Sequence, residues 1–486
     1  MKISHLEPLA VWRHFEALCA CPRVSGREGR ARQYVVDQAR AAGARTAVDG
    51  FGNVVVSAQG VSAAEPVAIQ AHLDMVPGAR EGVMHDWASA PIVPILDGAV
   101  VRAQGTTLGA DNGIGVALAL ASITDGPKRQ LPLQLIFTVE EEIGLRGASR
   151  LDPALIRARQ MINLDSEEVD KLTVGCAGGS TIRLTVPLTL EAVSVGWTAF
   201  ALSAAGGKGG HTGLEIHRPR VNAIKQLAGA IAALRAQGIR LRIAAFSGGT
   251  APNAIPGSAA ATIVVASSDA SAVSEAWSAE AAAARARWTS DEPDFGLALQ
   301  QSAVPSLALS EEAGADLLAL VAELPHGVQR MSDVHAGKVE TSANVAQFVF
   351  DKSAASVIAS ARSFLPDALT SASARIRDVG AAHGASSETV AAYPGWPPQE
   401  GSKLVAQTAD AFRSVYHSEP EIEVVHAGLE CGAIISRIPD LDAVSFGPDI
   451  RGAHTPDEQV TIATVRSTWA VLNALLDRLE QAGQTS

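Results

Sequence analysis

Short apolar runs alternate with helical periodicity through the first third of the chain. Val54-Val55-Val56, Val67-Ala68-Ile69, Leu133-Gln134-Leu135-Ile136-Phe137 and Met161-Ile162-Asn163-Leu164 are each bounded by turn or polar residues. That is the pattern of buried strands in a sheet covered by helices. Arg30 to Ala41 has helical spacing, and Ser25-Gly26-Arg27-Glu28 before it predicts a capping box. Ile114 to Ile123 predicts a small-residue helix starting just after Asn112-Gly113. Strands and helices in alternation predict an α/β fold, a helix-covered mixed sheet.

The pattern changes near Gly178-Gly179. From there to about residue 390 the chain is rich in alanine and serine, as in Ala259 to Ala266 and Ala279 to Ala286. The earlier style resumes at Tyr393-Pro394-Gly395-Trp396, with a helix around Lys403 to Tyr416, a strand at Ala443-Val444-Ser445-Phe446 and an amphipathic helix from Thr464 to Gln481. The expected organisation is a first domain in two parts, residues 1–178 and 391–486, interrupted by an inserted domain at 179–390.

Composition narrows the function. The chain has 486 residues, 47% apolar and 19% charged, which is ample for a core. Its formal charge of −12 argues against a nucleic-acid partner, which would require neutralising phosphates. No stretch approaches the ~18 uninterrupted apolar residues of a membrane span. The start, Met1-Lys2-Ile3-Ser4-His5-Leu6-Glu7, lacks the basic flank and apolar run of a secretory signal. The four cysteines (Cys19, Cys21, Cys176 and Cys431) are too few for a disulfide framework. A cytoplasmic protein with free thiols is expected.

Candidate chemistry follows the apolar runs. His72-Leu73-Asp74, Gly109-Ala110-Asp111-Asn112-Gly113, Glu140-Glu141-Glu142 and Asn163-Leu164-Asp165 come at strand ends or a helix start, and His454-Thr455-Pro456-Asp457-Glu458 lies some 290 residues later. Singly, each is an ordinary surface or core pattern. Together they would occupy the crevice beyond the carboxyl ends of the strands, where sites form in open α/β sheets. Burying so many carboxylates without a cation is costly. The pattern therefore favours a divalent site of imidazole and carboxylate ligands, suited to zinc, with cobalt or manganese as competitors.

Gln70-Ala71-His72-Leu73-Asp74-Met75-Val76-Pro77, Gly105 to Gly113 and Glu141-Glu142-Ile143-Gly144 resemble the co-catalytic di-zinc aminopeptidase/carboxypeptidase family that includes carnosinases and carboxypeptidase G. Gly209-Gly210-His211-Thr212-Gly213, His426-Ala427-Gly428-Leu429-Glu430-Cys431-Gly432 and His454 to Glu458 resemble the aminoacyl-histidine (Xaa-His, cytosolic non-specific) dipeptidases within it. The similarity runs from near the N-terminus to about residue 465.

The resemblance implies two zinc ions. Asp111 would bridge them, His72 and Asp165 would complete one, and Glu142 and His454 the other. Asp74 would orient His72 from behind, Glu141 would be the general base, and the Asp111–Asn112 peptide would be cis. The inserted domain becomes an α+β lid and dimerisation domain. In it His211 would reach the oxyanion of a second subunit, Asn253 would contact substrate, and Arg362, read as a helical position, would hold the substrate's carboxylate. Gly428 would line the substrate wall.

The implied function is metal-dependent hydrolysis of unblocked dipeptides by a homodimer, with no nucleic acid and no membrane involved. A tripeptidase or N-acyl-amino-acid deacylase on the same scaffold is the neighbouring reading, and a non-catalytic metal-binding protein the distant one. Pro252 and Ala90 depart from the family pattern, where arginine and an acid respectively are common. Neither position belongs to the metal set. A nucleotide site is rejected, because Leu108 to Gly115 has glycines but neither the Lys-Ser/Thr of a phosphate loop nor dinucleotide spacing.

Overall fold

A computed structural model describes residues 2–58, 65–350 and 353–484. The chain divides into two compact units. The first comprises Met1–Cys176, Trp396–Val424 and Gly428–Ser486, and the second Ala177–Gly395 and Val425–Ala427.

Among the described residues, the first unit is built on a mixed sheet of eight strands. Their order is Arg45–Val48, Val54–Ala58, Leu133–Thr138, Val67–His72, Gln160–Asn163, Asp442–Ser445, Lys171–Cys176 and Glu421–Val425. The four strands from Leu133–Thr138 to Asp442–Ser445 run parallel, with His72 opposite Thr138, Gln70 opposite Asn163 and Ser445 also opposite Asn163. Val67–His72 and Leu133–Thr138 are buried along their whole length, as strands covered on both faces must be. Helices Leu9–Cys19, Ala110–Thr124, Lys403–Tyr416 and Ile462–Gln484 belong to the same unit. A smaller antiparallel sheet orders Ile450–Arg451, Gln459–Thr461, Val100–Ala103 and Pro94–Asp97, so residues 452–458 form the loop of a hairpin.

The expected capping box does not form. Helix Gly29–Ala41 has no side-chain cap. The Ser25 hydroxyl donates instead to Asp74 Oδ2 at 2.7 Å, and Glu28 Oε1 accepts from Gly26 N at 2.7 Å and Glu140 N at 3.1 Å. Distant Asp74 takes the Ser25 hydroxyl, and Glu28 divides one oxygen between nearby Gly26 and distant Glu140.

The second unit is α+β. Among the described residues its main sheet has nine strands, every pair antiparallel, and helices Ala223–Ala236, Ala270–Trp288, Glu311–Glu323 and Pro366–Ala382 supply apolar residues to one core with it. Arg362 lies on the strand Ala354–Ser363, not on a helix, paired with Ser342 on one side and Gly179 on the other. Its alanine-rich surroundings suit a helix locally, but two flanking strands hold the segment extended.

Candidate metal centre

Five side chains from five segments of the first unit converge. His72, at the end of its strand, places Nε2 3.0 Å from Asp111 Oδ1 and 3.3 Å from Asp165 Oδ1. His454 Nε2 lies 3.0 Å from Asp111 Oδ2 and 2.9 Å from Glu142 Oε2. Asp111 thus stands between two imidazoles, one oxygen toward each. The ligand atoms of His72, Asp111 and Glu142 fall within 4.8 Å of one another.

The backbone explains this convergence. Asp111 begins the turn into helix Ala110–Thr124, and the Asp111–Asn112 peptide is cis. Gly109 before it has φ +68°, and a Cβ there would meet Arg23 Nη2 at 2.5 Å and Met75 Sδ at 2.8 Å, so only glycine fits. Buried Arg23 donates through Nη1 to the carbonyls of Leu73 and Asp74, each at 3.0 Å, and through Nη2 to that of Gly109. One guanidinium therefore ties the end of the His72 strand to the Asp111 turn. Asp74, fully buried, accepts the backbone N–H of Glu141 at 3.0 Å and of Glu142 at 3.1 Å, and its Oδ1 lies 3.4 Å from His72 Nδ1. The same carboxylate thus holds the glutamate loop and lies beside the His72 ring.

The titration pattern is that of an acid cluster seeking positive charge. Burial pushes the Glu141 carboxyl well above its ordinary range; Asp165, Glu430 and Glu142 add to this against the pull of His72. Asp165 is pushed up to about 6 by burial first, then by Asp111 and Glu142, again against His72. Burial would raise Asp111 too, but hydrogen bonds from His454 and His72 hold it low. Hydrogen bonds to Asp111 and Glu142 raise His454 to about 11. Glu142 Oε1 is buried with no hydrogen-bond partner. Two imidazole nitrogens, three carboxylates and an orphaned buried oxygen fit a pair of divalent cations. His72 and Asp165 would serve one ion, His454 and Glu142 the other, and Asp111 both.

In the second unit, His211, Asn253 and Arg362 are brought together around Thr212. The Thr212 N–H donates to the Asn253 carbonyl at 2.9 Å, and Arg362 Nε donates to Thr212 Oγ1 at 3.1 Å. Arg362 Nη1 also donates to the Tyr393 hydroxyl. His211 Nδ1 accepts from the N–H groups of Gly213 (3.2 Å) and Leu214 (3.3 Å). Burial, then the charge of Arg362, lowers His211 to about 4, so it is neutral with its proton on Nε2. His426 also belongs to this unit, its Nε2 2.8 Å from Ser342 Oγ. Gly428 lies in the first unit, two residues before helix Glu430–Arg437. Pro252 and Asn253 are exposed.

Residues 68–478 match the family described as peptidase family M20/M25/M40. The chain belongs to that peptidase family. It is 36% identical over 481 residues to the cytosol non-specific dipeptidase of Escherichia coli (strain K12), covering 98% of this chain and 99% of that one. It also resembles the crystal structure of aminoacylhistidine dipeptidase from Vibrio alginolyticus, at 34% identity and a TM-score of 0.88, over 98% of each chain. A tripeptidase structure from Staphylococcus aureus shares the fold at 15% identity and a TM-score of 0.57, over 98% of this chain and 99% of that one.

Several residues that shape this M20 site escaped the sequence reading. Arg23 carries no local signal, and the local signal at Ser25 points to a helix cap rather than to Asp74. Glu430 and Glu458 stand inside motifs that were singled out, and a buried acid beside a ligand motif was the clue to each. No helix among the described residues is long and apolar enough to cross a membrane.

Proposed function

We propose that this M20 peptidase hydrolyses unblocked dipeptides of broad specificity, Xaa-His among them, with two zinc ions for which cobalt or manganese could substitute. The observation that carries the reading is the convergence of His72, Asp111, Glu142, Asp165 and His454, with the half-buried Glu141 beside them. The Escherichia coli and Vibrio alginolyticus relatives are dipeptidases, which supports the same substrate class. A cytoplasmic homodimer joined through the second unit completes the proposal.

When bound, the divalent pair supplies Lewis acidity and brings the pKa of a water down toward about 7. The remaining work falls to side chains. Glu141, adjacent to ligand Glu142, takes the proton of the attacking water and delivers it to the departing amine. Asp74 keeps His72 in one tautomer and keeps Glu141 in place through the backbone. His211 offers a neutral Nε2–H to the developing oxyanion of a second subunit. Arg362, its fork fixed by Thr212 and Tyr393, takes the substrate carboxylate. Asn253 and Gly428 line the substrate.

The test is product analysis on carnosine, Leu-Gly, a tripeptide and an N-acyl amino acid, with metal counted by mass in the same preparation. Cleavage of the two dipeptides alone, with two ions per chain, is expected. Preferential cleavage of the tripeptide or the N-acyl substrate would overturn the substrate assignment.

A further inference from the structure

Glu430, the first residue of its helix, is an acid outside the ligand set that is 0% exposed. Among the described residues no cation is paired with it. Oε2 accepts from Gln70 Nε2 and from Thr138 Oγ1, both at 2.6 Å, while Oε1 is buried with no hydrogen-bond partner. Gln70 lies two residues before His72 on the same strand, and Thr138 is the strand partner of His72.

From Glu430 a directed chain of hydrogen bonds leads to the site. Gln70 turns its NH₂ toward Glu430, whose Oε2 accepts both that donor and the Thr138 hydroxyl. Gln70 Oε1 then faces Asn163 and accepts from Asn163 Nδ2 at 2.5 Å. That leaves Asn163 Oδ1 to accept the backbone N–H of Asp165 at 3.2 Å and the Ser445 hydroxyl at 2.5 Å. Every amide in the series has its orientation dictated by the acid at its head. Were Gln70 to flip, its NH₂ would oppose the NH₂ of Asn163. Asn163 would flip in turn and present a donor to the Asp165 N–H, and buried donors would be left unsatisfied.

We propose that Glu430 is a positioning residue for one half of the metal pair, acting through Gln70 and Asn163 on the backbone that carries Asp165. This rests on the metal reading above and adds a residue with no contact to either ion. The segments it joins are far apart in sequence. Glu430 follows Gln70 by 360 positions, and the chain through Asn163 couples helix Glu430–Arg437 to three strand ends.

The test is zinc affinity, measured by competition with a chromophoric chelator after stripping, in wild type, Glu430→Gln, Asn163→Ala and the double variant. Glutamine keeps the shape but can present either end to Gln70, so the dictated orientation is lost. Each single substitution should weaken one ion by about 10–100-fold, the range for groups that orient ligands, and leave the other unchanged. The double variant should be no worse than the worse single, because both cut the same chain. A Glu430→Gln protein that binds both ions as wild type does, or losses that multiply in the double variant, would overturn the proposal. Should Glu430→Gln fail to fold, Thr138→Val removes one donor to Glu430 and should weaken the same ion; unchanged binding there would also overturn it. Wild type that takes up fewer than two ions would instead overturn the metal reading, and this inference with it.

Discussion

Glu458 holds Asp111 by its backbone. Oε1 of Glu458 accepts the N–H of Asp111 at 3.2 Å and of Ala110 at 2.6 Å, and Oε2 accepts those of Leu108 at 2.7 Å and Gly109 at 2.8 Å. Four donors of one turn thus converge on one buried carboxylate, which comes from the same hairpin loop as His454. The contact fixes the backbone of the bridging candidate and the loop of a second ligand together.

Replacing that carboxylate should be severe. Each buried donor left unsatisfied costs about 1–3 kcal/mol, so Glu458→Ala should lose several kcal/mol and Glu458→Gln, which retains one accepting oxygen, clearly less. Urea unfolding of both variants, stripped of metal, measures this. Stability equal to wild type in Glu458→Ala would contradict the assignment.

Metal removal should destabilise the chain. For an ion at a hundredfold excess over its Kd the stabilisation is about 2.7 kcal/mol, so chelation should lower Tm by several degrees. An unchanged melting curve after verified removal would count against a shared buried site.

The stripped protein should also lose stability toward alkaline pH. Burial raises Asp165 to about 6 and Glu430 to about 8, so the folded state holds protons that the unfolded chain has already released above about pH 4. Stability therefore falls as pH rises through that window. His454, raised to about 11 by hydrogen bonds to Asp111 and Glu142, adds stability that is complete below its ordinary 6.5 and fades as pH climbs toward 11. Both effects carry the same sign. Thermal melts of stripped protein from pH 7 to 9, above the range where the lowered His211 acts in the opposite sense, should show a falling Tm, and zinc should flatten the trend because deprotonated ligands bind it better. A rising Tm without metal would refute the linkage.

Arg362→Lys should raise KM for Leu-Gly by about tenfold or more, because an ammonium cannot reproduce the fork set by Thr212 and Tyr393. Steady-state kinetics on Leu-Gly and on its C-terminal amide separate the possibilities. Wild type should discriminate strongly between them and the variant weakly. Equal discrimination by both enzymes would remove Arg362 from carboxylate binding.

The strands that end at His72 or lead to Glu142 and Asp165 were legible because an apolar run ending in a polar cluster marks a buried parallel strand and the end where ligands gather. The Asp111 turn and the His454 loop were legible as motifs. What stayed hidden depends on through-space pairing. Nothing near Arg23 announces that it will span Leu73, Asp74 and Gly109, and Gln70 meets Glu430 only once the sheet and its helix have assembled. Arg362 was misplaced on a helix because alanine and serine neighbours say little about a strand whose pairing is supplied from both sides.

The most direct test is dipeptide hydrolysis by Glu141→Gln with zinc counted in the same sample. The account predicts two ions bound and kcat lowered by about 10²–10⁴-fold, the share a positioned acid–base group supplies. Near wild-type turnover with both ions in place would contradict it.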